Sequence, residues 1–300
     1  MDIQIKKNIV YGENDLGYLI ADIYKPLHYE GDLSIIMLIH GGAYQTGSKE
    51  MYVDWGKALA KEGYFVIAIN YRLAHTTRKI YPEVFSDMDK AFNYLIKIAN
   101  EEHLNLDQIG LFGDSAGAYL ASYYTLTNRP YNYRINAVVG AYGIYDLIEE
   151  YNHPTSVRTK QMLSLFLGKD LKEDQELYTL ASPINYIDYA TESSNFDTEF
   201  LITWGAKDKI VKETQSINFI KALEERGVQV EQYRYEDVGH FWFNELTYVE
   251  GGRISDYPNV DLYPHIIKFL QRTLKEKPNG NFSKQTIKNL HSIDSLNIIN

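Results

Sequence analysis

The run Ser34-Ile35-Ile36-Met37-Leu38-Ile39 has no polar residue after its first position. A strand with one face in water alternates apolar and polar residues. A run without alternation predicts a strand covered on both faces. Tyr64-Phe65-Val66-Ile67-Ala68-Ile69 repeats the pattern. The period then changes to that of a helix: residues 82–100 carry Phe85, Met88, Ala91, Phe92, Leu95 and Ile98 on one face. Further strands are expected at 108–112, 137–141, 200–204 and 228–235, with helices near 51–62, 116–126, 212–226 and 262–275. Two earlier strands, at 3–10 and 18–24, meet across the turn signal Glu13-Asn14-Asp15-Leu16-Gly17. An antiparallel start followed by strand–helix alternation predicts an α/β fold: a mostly parallel eight-stranded sheet with helices on both faces.

Three hundred residues bury roughly 75% of the unfolded surface, enough for one large core. Residues 1–276 therefore read as one catalytic domain, interrupted by an irregular, cap-like insertion at 146–198 after the sixth strand. One clear helix (156–167) and the turn Ala181-Ser182-Pro183 stand out in it. The tail 277–300 has a weak apolar pattern, Phe282, Ile287, Leu290 and Leu296. It reads as a helix packed on the domain, a homodimer contact or a frayed end.

Thirty Lys and Arg against 40 Asp and Glu give a net charge of −10, which argues against nucleic acid or an anionic membrane as partner. With no cysteine, disulfides, thiolate metal sites and a cysteine nucleophile are excluded. The eight histidines form no His-Glu-x-x-His and no metal-spaced cluster, so no metal or other cofactor is expected. The charged start is followed by no apolar signal region, and no run reaches the roughly 18 apolar residues of a membrane span, so the expected compartment is the cytoplasm. The sequon Asn281-Phe282-Ser283 reads as chance. The conspicuous excess is aromatic, with 26 Tyr, 12 Phe and 3 Trp. Core packing accounts for most of them, leaving a few to line a pocket.

The strongest chemical signal is Gly113-Asp114-Ser115-Ala116-Gly117, where the strand at 108–112 meets the helix at 116–126. A turn this sharp puts its central residue in a strained conformation and needs glycines on either side to avoid collision. It lifts the Ser115 hydroxyl to a helix N-terminus, where developing negative charge is favoured. The alternative is a glycine-rich turn with serine as a plain helix cap. His40-Gly41-Gly42-Ala43-Tyr44 directly follows the first buried strand, and its glycines let backbone N–H groups turn toward an oxyanion. The nearby Gly47-Ser48-Lys49 misses the Gly-Lys-Ser/Thr order of a phosphate loop. A serine nucleophile needs a base, and the base needs an orienter. His240 and Asp208 lie in loops after the strands at 228–235 and 200–204, on the sheet edge that also carries Ser115. Asp146, after the strand at 137–141, is a rival acid. Arg72 reads as a brace for the elbow or as a surface ion pair, and Asp114 as a structural neighbour of the nucleophile.

These elements, with Asp22-Ile23-Tyr24-Lys25-Pro26, Asn70-Tyr71-Arg72-Leu73, Tyr81-Pro82 and Asp87, resemble the α/β-hydrolase superfamily. Within it the chain is similar to compact bacterial carboxylesterases related to the hormone-sensitive-lipase-like esterases. The resemblance implies Ser115 as nucleophile, Asp208 as acid and His240 as base, with the N–H groups of Gly42, Ala43 and Ala116 as the oxyanion hole. Ala43 stands where the family has a third glycine, and only 39 residues precede His40, too few for an N-terminal helical cap. The expected activity is hydrolysis of short-acyl carboxylic esters through an acyl-enzyme. Amide hydrolysis, arylformamidase or peptidase chemistry on the same groups, and a non-catalytic binder on the same fold, are the alternatives. Tyr44, Tyr145, Phe241 and Trp242 flank the loops as candidate pocket walls around a small-molecule ester.

Overall fold

A computed structural model describes residues 1–128, 130, 132–246 and 251–276. The tail 277–300, with its expected helix or dimer contact and its sequon, lies outside the described residues. Eight strands form one sheet: β1 (Ile3–Asn14), β2 (Gly17–Pro26), β3 (Leu33–Ile39), β4 (Phe65–Ile69), β5 (Leu104–Asp114), β6 (Ile135–Ala141), β7 (Glu199–Gly205) and β8 (Val230–Tyr235). Their order across the sheet is β1-β2-β4-β3-β5-β6-β7-β8. β2 runs antiparallel to β1 and β4, and every other pair is parallel. This is the mostly parallel α/β sheet that the alternation predicts, and the α/β-hydrolase architecture that the resemblance implies.

β3, β4, β6 and β7 are buried at every position, as strands without alternation require. The outermost strands β1 and β8 mix exposed and half-buried positions. β1 runs four residues past its expected end, accommodated by register shifts between Lys6 and Ile9 and between Val10 and Gly12. β5 begins earlier than expected because Leu104 and Asn105 pair with Leu33 and Ser34.

The helices are α1 (Val53–Lys61), α2 (Val84–Ile98), α3 (Ala116–Thr127), α4 (Leu147–Asn152), α5 (Val157–Leu167), α6 (Gln175–Leu180), α7 (Ile187–Thr191), α8 (Glu213–Glu225) and α9 (Asn259–Leu270). Tight turns at Lys49–Tyr52 and Pro183–Tyr186 and a widened turn at Gln271–Lys275 complete the list. α3 is buried from Ala116 to Leu126, since the sheet lies behind it and the insertion in front. Among the described residues no helix is long and apolar enough to cross a membrane.

Between β6 and β7 the structure departs from expectation: four helices stand where one was legible. α4, α6 and α7 have only five or six residues, too few for a periodic signal. Two are marked instead by their caps. Asp146 accepts from Ile148 N–H and Glu149 N–H, and Asp174 accepts from Leu177 N–H at 3.0 Å. Tyrosine hydroxyls, three of them from the body, close on the end of α6 in this insertion. Tyr81, Tyr123 and Tyr186 all donate to the Leu180 carbonyl, at 3.2, 3.0 and 2.8 Å, and Tyr119 donates to that of Ala181 at 2.8 Å. These carbonyls end α6, so the phenols satisfy acceptors that a helix terminus leaves open.

Two buried ion pairs hold the antiparallel side. Lys49 lies 3.0 Å from Asp22, each 1% exposed. Arg72 makes a two-pronged contact with buried Asp87 at 2.9 and 2.8 Å, tying the loop after β4 to α2, and also lies 3.5 Å from exposed Asp15.

Among the described glycines, Gly117 of the elbow leaves the least room for a side chain. A Cβ at Gly117 would sit 1.9 Å from the Ile39 carbonyl oxygen, and one at Gly113 would sit 2.4 Å from the Gly117 carbonyl carbon. Backbone atoms cannot move aside as a flexible side chain can. We expect Gly117→Ala to cost about 3 kcal/mol or more of unfolding free energy, or to abolish folding, as read by urea denaturation.

Candidate active site

Ser115 sits between β5 and α3 with φ 49° and ψ −116°, a left-handed conformation that a residue with a Cβ adopts only under constraint. Its N–H donates to the Ala141 carbonyl at 2.8 Å, tying the turn to the end of β6. β7 and β8 deliver the other two residues. The loops after them are laced together, Ala206 N–H to Tyr235 O at 2.8 Å and Lys207 N–H to Val238 O at 3.0 Å. Gly205 permits this approach, since a Cβ there would meet the Val238 oxygen at 2.3 Å.

The result is a relay of short contacts. His240 Nδ1–H donates to Asp208 Oδ2 at 2.7 Å, and the Ser115 hydroxyl lies 3.0 Å from His240 Nε2. A carboxylate only accepts, so the imidazole proton sits on Nδ1 and Nε2 is free to take the serine proton. The other Asp208 oxygen accepts from Ile210 N–H at 2.7 Å and Val211 N–H at 3.0 Å, which locks the carboxylate orientation. The His240 and Asp208 side chains are only 3% and 2% exposed, so water screens their attraction weakly. Asp146, the rival acid, instead caps α4 with its carboxylate.

The loop after β3 is the one expected to supply the oxyanion donors. Gly42 has φ 114°, and a Cβ on it would collide with the Thr46 carbonyl at 2.1 Å. Ala43 and Tyr44 follow at φ 54° and 63°, two non-glycine residues in the left-handed region. Each such residue costs about 1 to 2 kcal/mol. The N–H groups of Gly42 and Ala43, and of Ala116 at the start of α3, have no hydrogen-bond partner among the described residues. Unpaired donors beside a serine hydroxyl are suited to receive an oxyanion.

One buried carboxylate organises these loops. Asp114 Oδ1 accepts from Gly41 N–H of the donor loop at 2.9 Å, from the Tyr52 hydroxyl before α1 at 2.9 Å and from Asn244 Nδ2 after His240 at 2.7 Å. Burial pushes its carboxyl above the usual range, while the Tyr52, Gly41 and Asn244 donors favour the charged form. Sequence reasoning marked Asp114 only as a neighbour, and Asn244 not at all; nothing local to either residue signals contacts made across the fold.

Tyr142 was also missed. It has φ 42°, it follows the end of β6, and its ring lies 4.3 Å from that of His240. The only hint in sequence was its place on the same sheet edge. Among the four aromatic residues expected to line a pocket, Phe241 is 52% exposed beside the His240 ring. The other three are buried. Tyr44 stacks on Phe166 of α5 at 4.0 Å, Tyr145 stacks on Phe219 of α8 at 4.0 Å, and Trp242 sits against Tyr142 and Tyr235. The left-handed backbone at Tyr44 swings its ring into the core. No group of three or more His, Asp or Glu among the described residues is arranged to hold a metal ion.

His40 is fully enclosed, stacked on Tyr71 at 4.3 Å and donating through Nδ1 to Gly41 O at 2.7 Å. Burial lowers its pKa to about 4, so the ring is neutral in the folded protein. The unfolded chain binds this proton near pH 6.5 and the native chain only near 4. Stability is thus present above pH 6.5 and is lost as pH falls toward 4, by about 3 kcal/mol. We expect His40→Asn to flatten that part of the stability–pH curve, measured by denaturant unfolding between pH 4 and 7.

Comparison with known proteins agrees with the fold. The model of the BD-FAE family matches residues 21–223. A curated relative, the probable carboxylic ester hydrolase LipM of Mycobacterium tuberculosis, is 28% identical over 240 residues, 73% of this chain and 51% of that protein. The chain thus spans about half the length of that relative. The kynurenine formamidase of Danio rerio is 25% identical over 244 residues, covering 79% of this chain and 75% of that one. Among solved structures, a thermophilic esterase from the Planctomycetes species Thermogutta terrifontis superposes with a TM-score of 0.70 at 22% identity, over 91% of this chain and 94% of that one.

Proposed function

Because this chain belongs to the BD-FAE family and has the α/β-hydrolase fold, we propose that it is a carboxylesterase-type serine hydrolase acting through Ser115, His240 and Asp208. The observation that carries the reading is the continuous contact from the Ser115 hydroxyl through His240 to Asp208, at 3.0 and 2.7 Å. His240 takes the serine proton as Ser115 attacks the ester carbonyl. The N–H groups of Gly42, Ala43 and Ala116 hold the oxyanion. His240 then returns the proton to the leaving alcohol, and water hydrolyses the acyl-enzyme by the same route. Asp208 keeps the ring in the required tautomer and stabilises the imidazolium.

The substrate is a small-molecule ester with a short acyl group. Support comes from Tyr44, which adjoins the oxyanion donors and is wholly buried beneath Phe166. Its stacking on Phe166 of α5 fills the space next to that loop with side chain. The likeness to the Danio rerio kynurenine formamidase supports a second reading, hydrolysis of an N-formyl arylamine by the same groups. The catalytic residues are the same for ester and amide, so substrate competition decides between them.

Ser115→Ala is expected to lower kcat on nitrophenyl acetate by roughly 10⁴- to 10⁶-fold while the melting temperature holds. Retained turnover would remove Ser115 from the mechanism. Across nitrophenyl esters, kcat/KM should be highest for acetyl or butyryl and fall with longer chains. A maximum at decanoyl or beyond would contradict the short-acyl reading, and faster turnover of N-formylkynurenine than of any ester would favour the second.

A further inference from the structure

Phe241 directly follows His240 and is 52% exposed, while the next two residues, Trp242 and Phe243, turn into the core. An exposed apolar side chain is ordinary in itself. This one touches the imidazole: the Phe241 and His240 rings meet edge to face, with centroids 5.0 Å apart. The other sides of the His240 ring are taken. Asp208 holds Nδ1 at 2.7 Å, Ser115 lies 3.0 Å from Nε2, and Tyr142 covers the ring at 4.3 Å. The Asp208 side chain and Tyr142 are buried and Ser115 is half-buried, so Phe241 is the neighbour of the imidazole that is open to solvent.

The ring also stands on a fixed backbone. Ahead of it, Val238 O accepts from Lys207 N–H at 3.0 Å. Behind it, Asn259 Nδ2 donates to the Trp242 and Phe243 carbonyls at 2.8 and 3.1 Å, and Trp55 Nε1 donates to that of Phe243 at 2.7 Å. Asn244 Nδ2 then donates to Asp114 at 2.7 Å. A surface held in place beforehand loses little freedom on binding.

When the tetrahedral adduct collapses, the bond from the acyl carbon to the leaving oxygen breaks, and His240 Nε2 gives that oxygen its proton. The leaving oxygen therefore lies about 3 Å from Nε2, on the ring that Phe241 touches. A flat ring bonded to that oxygen has the reach to lie against Phe241 at the roughly 4.5–7 Å centroid spacing of aromatic pairs. A methyl or ethyl group offers no such face. We propose that Phe241 is a specificity-determining residue that receives the leaving half of the substrate, and that this half is an aryl group. The inference rests on Ser115, His240 and Asp208 being the catalytic groups.

The test is kcat/KM for phenyl acetate and trifluoroethyl acetate, which share an acyl group, in the wild type, Phe241→Ala, Phe241→Leu and Phe241→Tyr. Each ester is compared with itself across the variants, so its intrinsic reactivity cancels. Phe241→Ala and Phe241→Leu should lose roughly five- to tenfold more on phenyl acetate than on trifluoroethyl acetate, mainly through KM. Phe241→Tyr keeps the ring and should keep the wild-type preference. Phenol, the product, should inhibit the wild type competitively and Phe241→Ala roughly five- to tenfold less tightly. An equal loss on both esters would mean that Phe241 only shields His240, and it overturns the proposal. So does a wild-type preference in Phe241→Leu, which keeps apolar bulk without a ring. Ser115→Ala separates the two layers: if it stays active, the catalytic assignment itself has failed, whereas an inactive Ser115→Ala with equal losses in Phe241→Ala rejects only the role of Phe241.

Discussion

The contact between the backbone of α3 and the end of β3 governs the site. Gly117 lies so near the Ile39 carbonyl that a single methyl group would overlap it. That approach brings the serine turn and the donor loop side by side, because the donor loop begins at the very next residue, His40. Asp114 then converts proximity into connection. One oxygen receives a donor from each of three loops, so the Ser115 turn, the loop after β3 and the segment after His240 share one anchor. A carboxylate suits this place better than an amide or hydroxyl, since all three neighbours donate.

Much of this arrangement is legible in the sequence. Strands without alternation marked the central sheet, and the small residues around Ser115 marked a turn too sharp for anything else. His240 and Asp208 stood after strands whose C-terminal ends share one edge with Ser115, and the structure brings the three side chains within hydrogen-bonding distance. Contacts made at long range in sequence were not legible. Asn244 reaches Asp114 across 130 positions, and Tyr142 supports His240 from a different strand, with no local pattern to announce either. The burial of Tyr44, Tyr145 and Trp242 was not legible for a related reason. A loop tyrosine beside a catalytic motif turns inward or outward according to its backbone angles, and composition carries no record of those.

The tyrosine excess has a partial physical account. A phenol offers a large apolar ring with a hydroxyl at its tip, so it fills the core and still reaches a carbonyl. Tyr81, Tyr119, Tyr123 and Tyr186 do this against the end of α6. The same rings stack or meet edge-on beneath the insertion, Tyr81 and Tyr119 on Phe166, and Tyr186 on Tyr123. Phenylalanine at these positions would preserve the packing and leave helix-end carbonyls without donors.

The fastening of the insertion bears on how such a protein diverges. Surface insertions on a conserved sheet are commonly treated as exchangeable parts, swapped to alter what a site accepts. Here Gln215 grips the first helix of the insertion, Thr155 reaches the loop of Asp208, and four phenols outside or within it close on Leu180 and Ala181. A transplanted segment would bring its own backbone to partners shaped for this one. Wholesale replacement of this region would therefore disturb the loop that carries Asp208 along with the insertion itself.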